Sequence, residues 1–302
     1  MRKPLSTRFN IPVAAAYAGM CLIWSSTWMV IKVGLRGAPP LTSVAVRMAI
    51  ASLLVAIILR VRGVVIPRDT RFVRLGVFLG VFHIVLPYSL VYYGEQHIDS
   101  GLAAVIYAIL PLLVAILARV ALASPLTARK LVGIAVGIAG VGVIFSDSLR
   151  IGREQALGTL AVVGSVTASA VGSVATKKWG HGYHAVASLL LPFATATLVT
   201  AILALAFERA DPRSFDATTW ASIVYLAVAG SVVAFALFFW VLQRMDVTLV
   251  SYQTFIIPVL AVLLGNVALG EQISVRVGIG AAFILTGISL ATFYRGGRRG
   301  AG

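Results

Sequence analysis

The sequence predicts an all-α integral membrane protein of ten transmembrane helices, arranged as two inverted five-helix repeats. Three observations predict it: an apolar excess, ten helix-length apolar runs, and a self-similarity at a spacing of 147 residues. Of the 302 residues, 60 % are hydrophobic and 12 % are charged, and the mean hydropathy is +0.98. A soluble chain carries about 25 % charged residues, so a soluble domain with this composition could not cover its core. A spanning helix uses roughly 20 apolar residues, and ten of them use about 200.

The apolar runs, punctuated by Gly, Pro and charges, place helices at 11–34, 41–60, 72–93, 99–122, 128–145, 156–178, 184–206, 218–241, 247–269 and 274–294. The first follows Arg2, Lys3 and Arg8, as a signal peptide would, but it is too long for a cleaved segment and is expected to be a span. The runs are too long for barrel strands and do not alternate. Short connections make neighbouring helices antiparallel. One cysteine, Cys21, leaves no intrachain disulfide.

The net charge of +15 points to a membrane rim rather than to nucleic acid, because the basic residues fall between apolar runs. One side collects 17 Lys and Arg, among them Arg60, Arg62, Arg68, Arg71, Arg74, Arg119, Arg129, Lys130, Lys177, Lys178, Arg244 and the tail residues Arg295, Arg298 and Arg299. The other side collects 7: Lys32, Arg36, Arg150, Arg153, Arg209, Arg213 and Arg276. The charge rule then puts both termini in the cytoplasm. An even number of spans agrees.

Sliding the chain by 147 residues aligns Asp99 with Asp246, Pro111 with Pro258, Arg129 with Arg276, Gly133 with Gly280 and Gly140 with Gly287, among 13 identities in 48 positions. Halves 1–147 and 148–302 each hold five helices, so the second inserts upside down. Inverted repeats are the architecture of alternating-access carriers, with the site near the midplane between the halves.

Motifs for nucleotide, zinc or nucleophilic chemistry are absent, and no cofactor or metal is expected. Arg47 lies about seven residues into the second helix, roughly 10 Å deep. It either anchors a substrate carboxylate or snorkels to the interface. His83, Pro87, Tyr88, Tyr92 and Tyr93 share the third helix; a polar-tipped stripe beside a proline suits a wet cavity wall, or the tyrosines form an interfacial belt. Trp24 and Trp28 lie four apart on one face, with Ser25, Ser26 and Thr27 between them, for substrate or for packing. Pro111 and Pro258 should kink repeat-related helices as gates, with Tyr107 and Tyr252-Gln253-Thr254 nearby. Gly133, Gly137, Gly140, Gly142, Gly278, Gly280 and Gly287 read as close helix packing, and Glu95, Asp99, Asp246 and Glu271 as cap or loop residues.

Together, Trp24-Ser25-Ser26-Thr27-Trp28 followed by Lys32, Arg47 in the second helix, and Pro111 and Pro258 in matching helices resemble the drug/metabolite transporter superfamily, EamA branch. The resemblance covers essentially the whole chain. It implies two inverted halves, cytoplasmic termini and outward movement of amino acids or other small metabolites. In members that export aromatic amino acids it implies a cavity lined by aromatic and His residues, a pattern to which His83 and Tyr88 are similar. The chain departs from the family at Ser124, opposite Glu271, where many members carry Glu in both halves.

The expected activity is therefore export of small metabolites, amino acids first, across the plasma (inner) membrane. The expected lining is Trp24, Trp28, Arg47, His83, Tyr88, Tyr107 and Gln253. The partners are a small-molecule substrate and the bilayer, with no nucleic acid, and the chain acts as monomer or homodimer. The alternative is a drug or cation efflux carrier, for which a buried Glu in the first helix is missing. A lipid-modifying membrane enzyme would have only Glu95-Gln96-His97 and Asp99 to work with. A sensor subunit without transport is the third class.

Overall fold

The computed structural model describes residues 11–245 and 247–292, and among them are ten helices long and apolar enough to cross a membrane. They are α1 Ile11–Gly34, α2 Pro40–Val61, α3 Thr70–His97, α4 Ser100–Leu122, α5 Ala128–Ile151, α6 Arg153–Trp179, α7 Ala187–Phe207, α8 Ala217–Leu242, α9 Leu249–Leu269 and α10 Val275–Thr292. No strand occurs among the described residues. The chain is a multi-pass, all-helical membrane protein. In lipid every backbone group must find its partner within the segment, which leaves the helix as the solution for runs of this length.

Two helices overrun the boundaries expected from hydropathy. Helix α3 continues through Glu95-Gln96-His97, and α5 continues through Ser146-Asp147-Ser148, past the expected division at 147–148, to Ile151. The polar end of α5 is held by neighbours. Ser148 Oγ lies 2.9 Å from Thr159 Oγ1, and Asp147 receives Ser274 Oγ at 2.5 Å with Arg276 3.9 Å away. Arg2, Lys3, Arg8, Asp246, Arg295, Arg298 and Arg299 fall outside the described residues.

The main helix pairings recur under exchange of the two halves. Helices α2 and α7, α4 and α9, and α5 and α10 pack as equivalent pairs, while α1 on α8 mirrors α3 on α6, and α1 on α9 mirrors α4 on α6. Both main apolar cores draw residues from both halves, so the repeats interlock.

The α5–α10 pair shows the inversion directly. A Cβ built on Gly133 would sit 2.5 Å from the Gly287 carbonyl oxygen, and one on Gly140 would sit 2.6 Å from that of Gly280. Since Gly133 is equivalent to Gly280 and Gly140 to Gly287, the contact is reciprocal and antiparallel. That is the signature of a two-fold axis in the membrane plane. Equivalent N-caps support it: Thr127 Oγ1 accepts from Lys130 N and Ser274 Oγ from Val277 N. Gly142 and Gly278 have nothing within 4 Å of an added Cβ and do not belong to the seam.

Eight of the ten acidic residues, namely Glu95, Asp99, Asp147, Glu154, Glu208, Asp211, Asp216 and Glu271, gather at one end of the bundle. This acidic end is laced across the halves. Glu208 accepts from Leu41 N, Thr42 N and Thr42 Oγ1 at 2.7–2.8 Å, capping α2. Glu271 accepts from Ser100 N, Ser100 Oγ and Gly101 N at 2.9–3.1 Å, capping α4. At the opposite, basic end, Asp69 caps α3 through Phe72 N and accepts from Tyr183 Oη at 3.0 Å, while Arg71 donates to the Trp179 carbonyl. These amide and hydroxyl donors hold the Asp69 carboxyl below the usual carboxylate range.

The seam predicts that Gly133→Leu and Gly287→Leu destabilise the protein by about 1–3 kcal/mol, the ordinary cost of overpacking. Gly142→Leu should be neutral. Thermal unfolding in detergent separates them, and equal melting of all three variants would contradict the seam.

Candidate functional site: a central cavity between the halves

Both faces of the cavity begin with an irregularity in a helix. Helix α3 passes through a π-helical stretch at Gly80–Val85 and α8 through another at Leu226–Val233. The 147-residue offset carries the first onto 227–232, inside the second. In α3 the cause is Pro87, which has no N–H to return to the turn before it. In α8 it is Ser231, whose Oγ donates to the Leu226 carbonyl five residues back at 3.0 Å. A π-bulge inserts a residue and turns the helix face, and such bulges recur at functional sites. Here they aim His83 and Tyr88 from one side, and Gly230, Phe235 and Phe238 from the other, into one space.

That space is a cavity of about 470 Å³ lined by α1, α2, α3, α4, α6, α8 and α9. All seven expected lining residues border it: Trp24, Trp28, Arg47, His83, Tyr88, Tyr107 and Gln253. Pro111 and Pro258 border it as well.

Arg47 is 3 % exposed and does not snorkel. Its Nε and Nη2 donate to Ser231 Oγ at 3.2 Å, its Nη1 donates to Tyr92 Oη at 3.1 Å, and its guanidinium lies 4.6 Å from the centre of the Tyr88 ring. A guanidinium carries five N–H donors, so some remain for a ligand. Among the described lining residues it is the only Lys, Arg, Asp or Glu.

The aromatic wall is made of pairs. Trp28 meets Tyr107 edge-on at 5.3 Å, and Trp24 meets Phe235 at 5.5 Å and Phe238 at 5.6 Å. Tyr107 Oη is hydrogen-bonded to Ser169 Oγ, tying α4 to α6 across the halves. The hydroxyls between the tryptophans are spent elsewhere: Ser25 on the Cys21 carbonyl, Ser26 on Tyr225 Oη, and Thr27 on the Trp24 carbonyl. His83 is wedged against α6, where a Cβ on Gly172 would lie 2.5 Å from its Nδ1. Gln253 Oε1 is buried without a hydrogen-bond partner.

The prolines act differently from each other. Helix α4 breaks at Ala108-Ile109, just before Pro111, whereas Pro258 lies inside the continuous helical segment Gln253–Leu269. Each removes the donor for the carbonyl four residues earlier, Tyr107 and Thr254, and both of those residues border the cavity.

Burial shows which way the cavity opens. Ile31, Arg47, Tyr92 and Ala104, toward the acidic end, are buried, while Ser173, Phe238 and Gln253, toward the basic end, are partly exposed. Lys32 helps to close the acidic end by donating to the Glu95 and Ile98 carbonyls, each at 2.7 Å. This caps the end of α3 with a cation, as the helix dipole favours.

Sequence reading did not single out Ser231, Ser169, Phe235 or Phe238. The signal for Ser231 was Arg47 itself, since a buried guanidinium needs oxygen partners, but a sequence does not say which serine faces it. Tyr92 was split between belt and cavity. It is 2 % exposed and holds Arg47, while Tyr93, 40 % exposed, points outward.

An inverted-repeat helical bundle closed at one end over a central cavity is the architecture of alternating-access membrane carriers. The chain belongs to the EamA-like transporter family, whose model matches residues 12–146 and again 156–293. It is 25 % identical to the uncharacterized transporter YoaV of Bacillus subtilis, over 94 % of this chain and 97 % of that one. It is 27 % identical to the uncharacterized inner membrane transporter YedA of Escherichia coli K12, over 93 % and 91 %. Protein PagO of Salmonella typhimurium matches at 24 % over 88 % of each chain. A crystal structure of a protein with 22 % identity shares the fold, with a TM-score of 0.65 over 93 % of this chain and 97 % of the other.

Ser231→Ala removes the acceptor of two Arg47 donors and should cost about 1–3 kcal/mol in stability. It should also weaken ligand binding more than Ser26→Ala, whose partner Tyr225 lies outside the cavity lining. Thermal melting and ligand titration of both variants check this; equal effects would contradict it.

Proposed function

We propose that the protein exports small amphipathic metabolites, amino acids foremost, across the inner membrane by alternating opening of the two ends of its central cavity. The observation that carries this reading is Arg47, the one fixed cation among the described lining residues, at the closed end of a cavity whose other walls are mainly aromatic and apolar. A carboxylate docks on the free guanidinium N–H groups, and an apolar or aromatic side chain lies among Trp24, Trp28, Tyr88 and Phe238. For an ammonium group the wall carries the oxygen-bearing residues Tyr107, Gln253 and Thr254, without a carboxylate. The volume suits a small molecule, since ligand pockets measure about 300–1,000 Å³. The twofold match to a transporter family supports a carrier rather than an enzyme.

The excess of Lys and Arg at the basic end orients that end, and both termini, toward the cytoplasm. The structure is then the cytoplasm-open state, ready to load. Rocking the interlocked halves about Pro111, Pro258 and the two π-bulges would open the acidic end in exchange. The competing reading, a cation or drug efflux carrier, is disfavoured because the one charge on the wall is positive.

Release from proteoliposomes loaded with a mixed metabolite pool, followed by mass spectrometry, tests the reading. Selective loss of amino acids is expected. Compounds whose carboxylate is masked as an ester should leave roughly 10- to 100-fold more slowly, the worth of about 1.5–3 kcal/mol for a hydrogen bond to a charged group. Arg47→Ala should abolish that difference. Selective loss of cations, or indifference to Arg47→Ala, would sink the assignment.

A further inference from the structure

Glu95 is 0 % exposed, and neither of its carboxyl oxygens has a hydrogen-bond partner. It stands one turn beyond Tyr92, in the seal between the cavity and the acidic end. Among the described residues no cation hydrogen-bonds or ion-pairs with its carboxyl, and the two that stand nearby hold other acceptors. From α1, Lys32 gives its protons to the backbone carbonyls of Glu95 and Ile98. From α2, Arg47 donates to Ser231 and Tyr92. The remaining neighbours add negative charge: Asp99, half-buried at the start of α4, and Glu271, whose carboxylate caps α4. From α6, Glu154 reaches only His97, at 3.9 Å, and is itself exposed.

The wall beside Glu95 is tightly packed. A Cβ on Gly94 would lie 2.6 Å from Val162 Cγ2, and one on Gly158 would lie 2.9 Å from His97 Cβ. A carboxylate with no donor or ion pair from the surrounding side chains is a poor fit for such a buried place, whereas the neutral acid fits. The same surroundings act on Asp99, whose carboxyl is raised above the usual range first by burial and then by the Glu271 charge.

We propose that Glu95 is a proton-binding site in the seal: the acidic end closes with this carboxyl protonated, and opening that end admits water and lets it ionise beside Lys32. The inference rests on the alternating-access reading above. Its sign follows from linkage, since the closed state binds one proton more than the open state. Acid in the compartment facing this end favours closure, and alkali favours opening. For an exporter with its acidic end outside, an acid exterior would favour the step that returns the emptied carrier to its loading state.

The test places a reporter in the seal. Ile98→Cys, at a side chain 2 % exposed and outside the cavity lining, is made in a Cys21→Ser background. The protein is set in nanodiscs, where both ends meet solvent, and a polar maleimide reports opening. Rates are taken across pH with Glu95 and with Glu95→Gln, and their ratio cancels the thiol's own titration. The ratio is expected to rise by about tenfold per pH unit over the range where Glu95 titrates, as one linked proton requires. The Glu95→Gln protein should open only at the low level of the protonated form, with no pH dependence beyond that of the thiol itself.

A ratio flat with pH would overturn the proposal and leave the carrier reading intact. No labelling of either protein at any pH would overturn both. If Glu95→Gln does not fold, the infrared spectrum of the parent decides: a protonated-carboxyl band that vanishes in alkali and shifts in Glu95→Asp supports the site, and its absence overturns it.

Discussion

A permanent cation held almost wholly out of solvent organises this protein. Transferring a charge to the interior of a bundle in lipid is costly unless oxygen and π partners surround it. Arg47 finds them on two other helices: Tyr88 and Tyr92 on α3, and Ser231 on α8. Those partners reach it because both helices are re-phased by π-bulges at equivalent positions of the two repeats. The same three-helix junction forms the roof of the cavity. Holding the charge, closing the acidic end and offering donors to a ligand are thus a single arrangement, and loosening any partner acts on all three.

The frame is symmetric and the chemistry on it is not. Exchange of the halves carries α5 onto α10 with the glycine contacts reversed, and one π-bulge onto the other. Yet the offset sets Arg47 against Ala194, His83 against Gly230, Tyr107 against Thr254, and Trp28 against Ala175. A symmetric frame supplies two related shapes of similar energy, open at opposite ends. The unlike side chains make the ends chemically distinct. The acidic end is fastened by Glu208, Glu271 and Lys32, and the cavity opens at the other end.

Much of this was legible in the chain. Ten spans, their order and the repeat follow from hydropathy and from one 147-residue offset, because lipid imposes a helix on each long apolar run. The lining residues were legible because a bilayer makes polarity expensive: Arg47, His83 and Gln253 had to face something other than lipid. Helix ends at Glu95-Gln96-His97 and Ser146-Asp147-Ser148 were not, since polar residues near a span end read as loops when the packing or partners that hold them lie on other helices. Nor was the burial of Glu95. Position near a span end argues for solvent, and only packing of α3 on α6 shows that solvent is excluded. The π-bulges were hidden too. Pro87 signalled the first, but the second depends on a serine hydroxyl bonding its own helix.

Alternating access requires the two ends to open in exchange. Distances between spin labels on exposed sites test it most directly, with one pair at the acidic end, Gln96 and Thr218, and one at the basic end, Arg62 and Gln243. Measured by pulsed electron resonance with and without transported metabolite, the acidic-end distance should lengthen in the population whose basic-end distance shortens. Two distances that stay fixed, or that lengthen together, would contradict alternating access about this cavity.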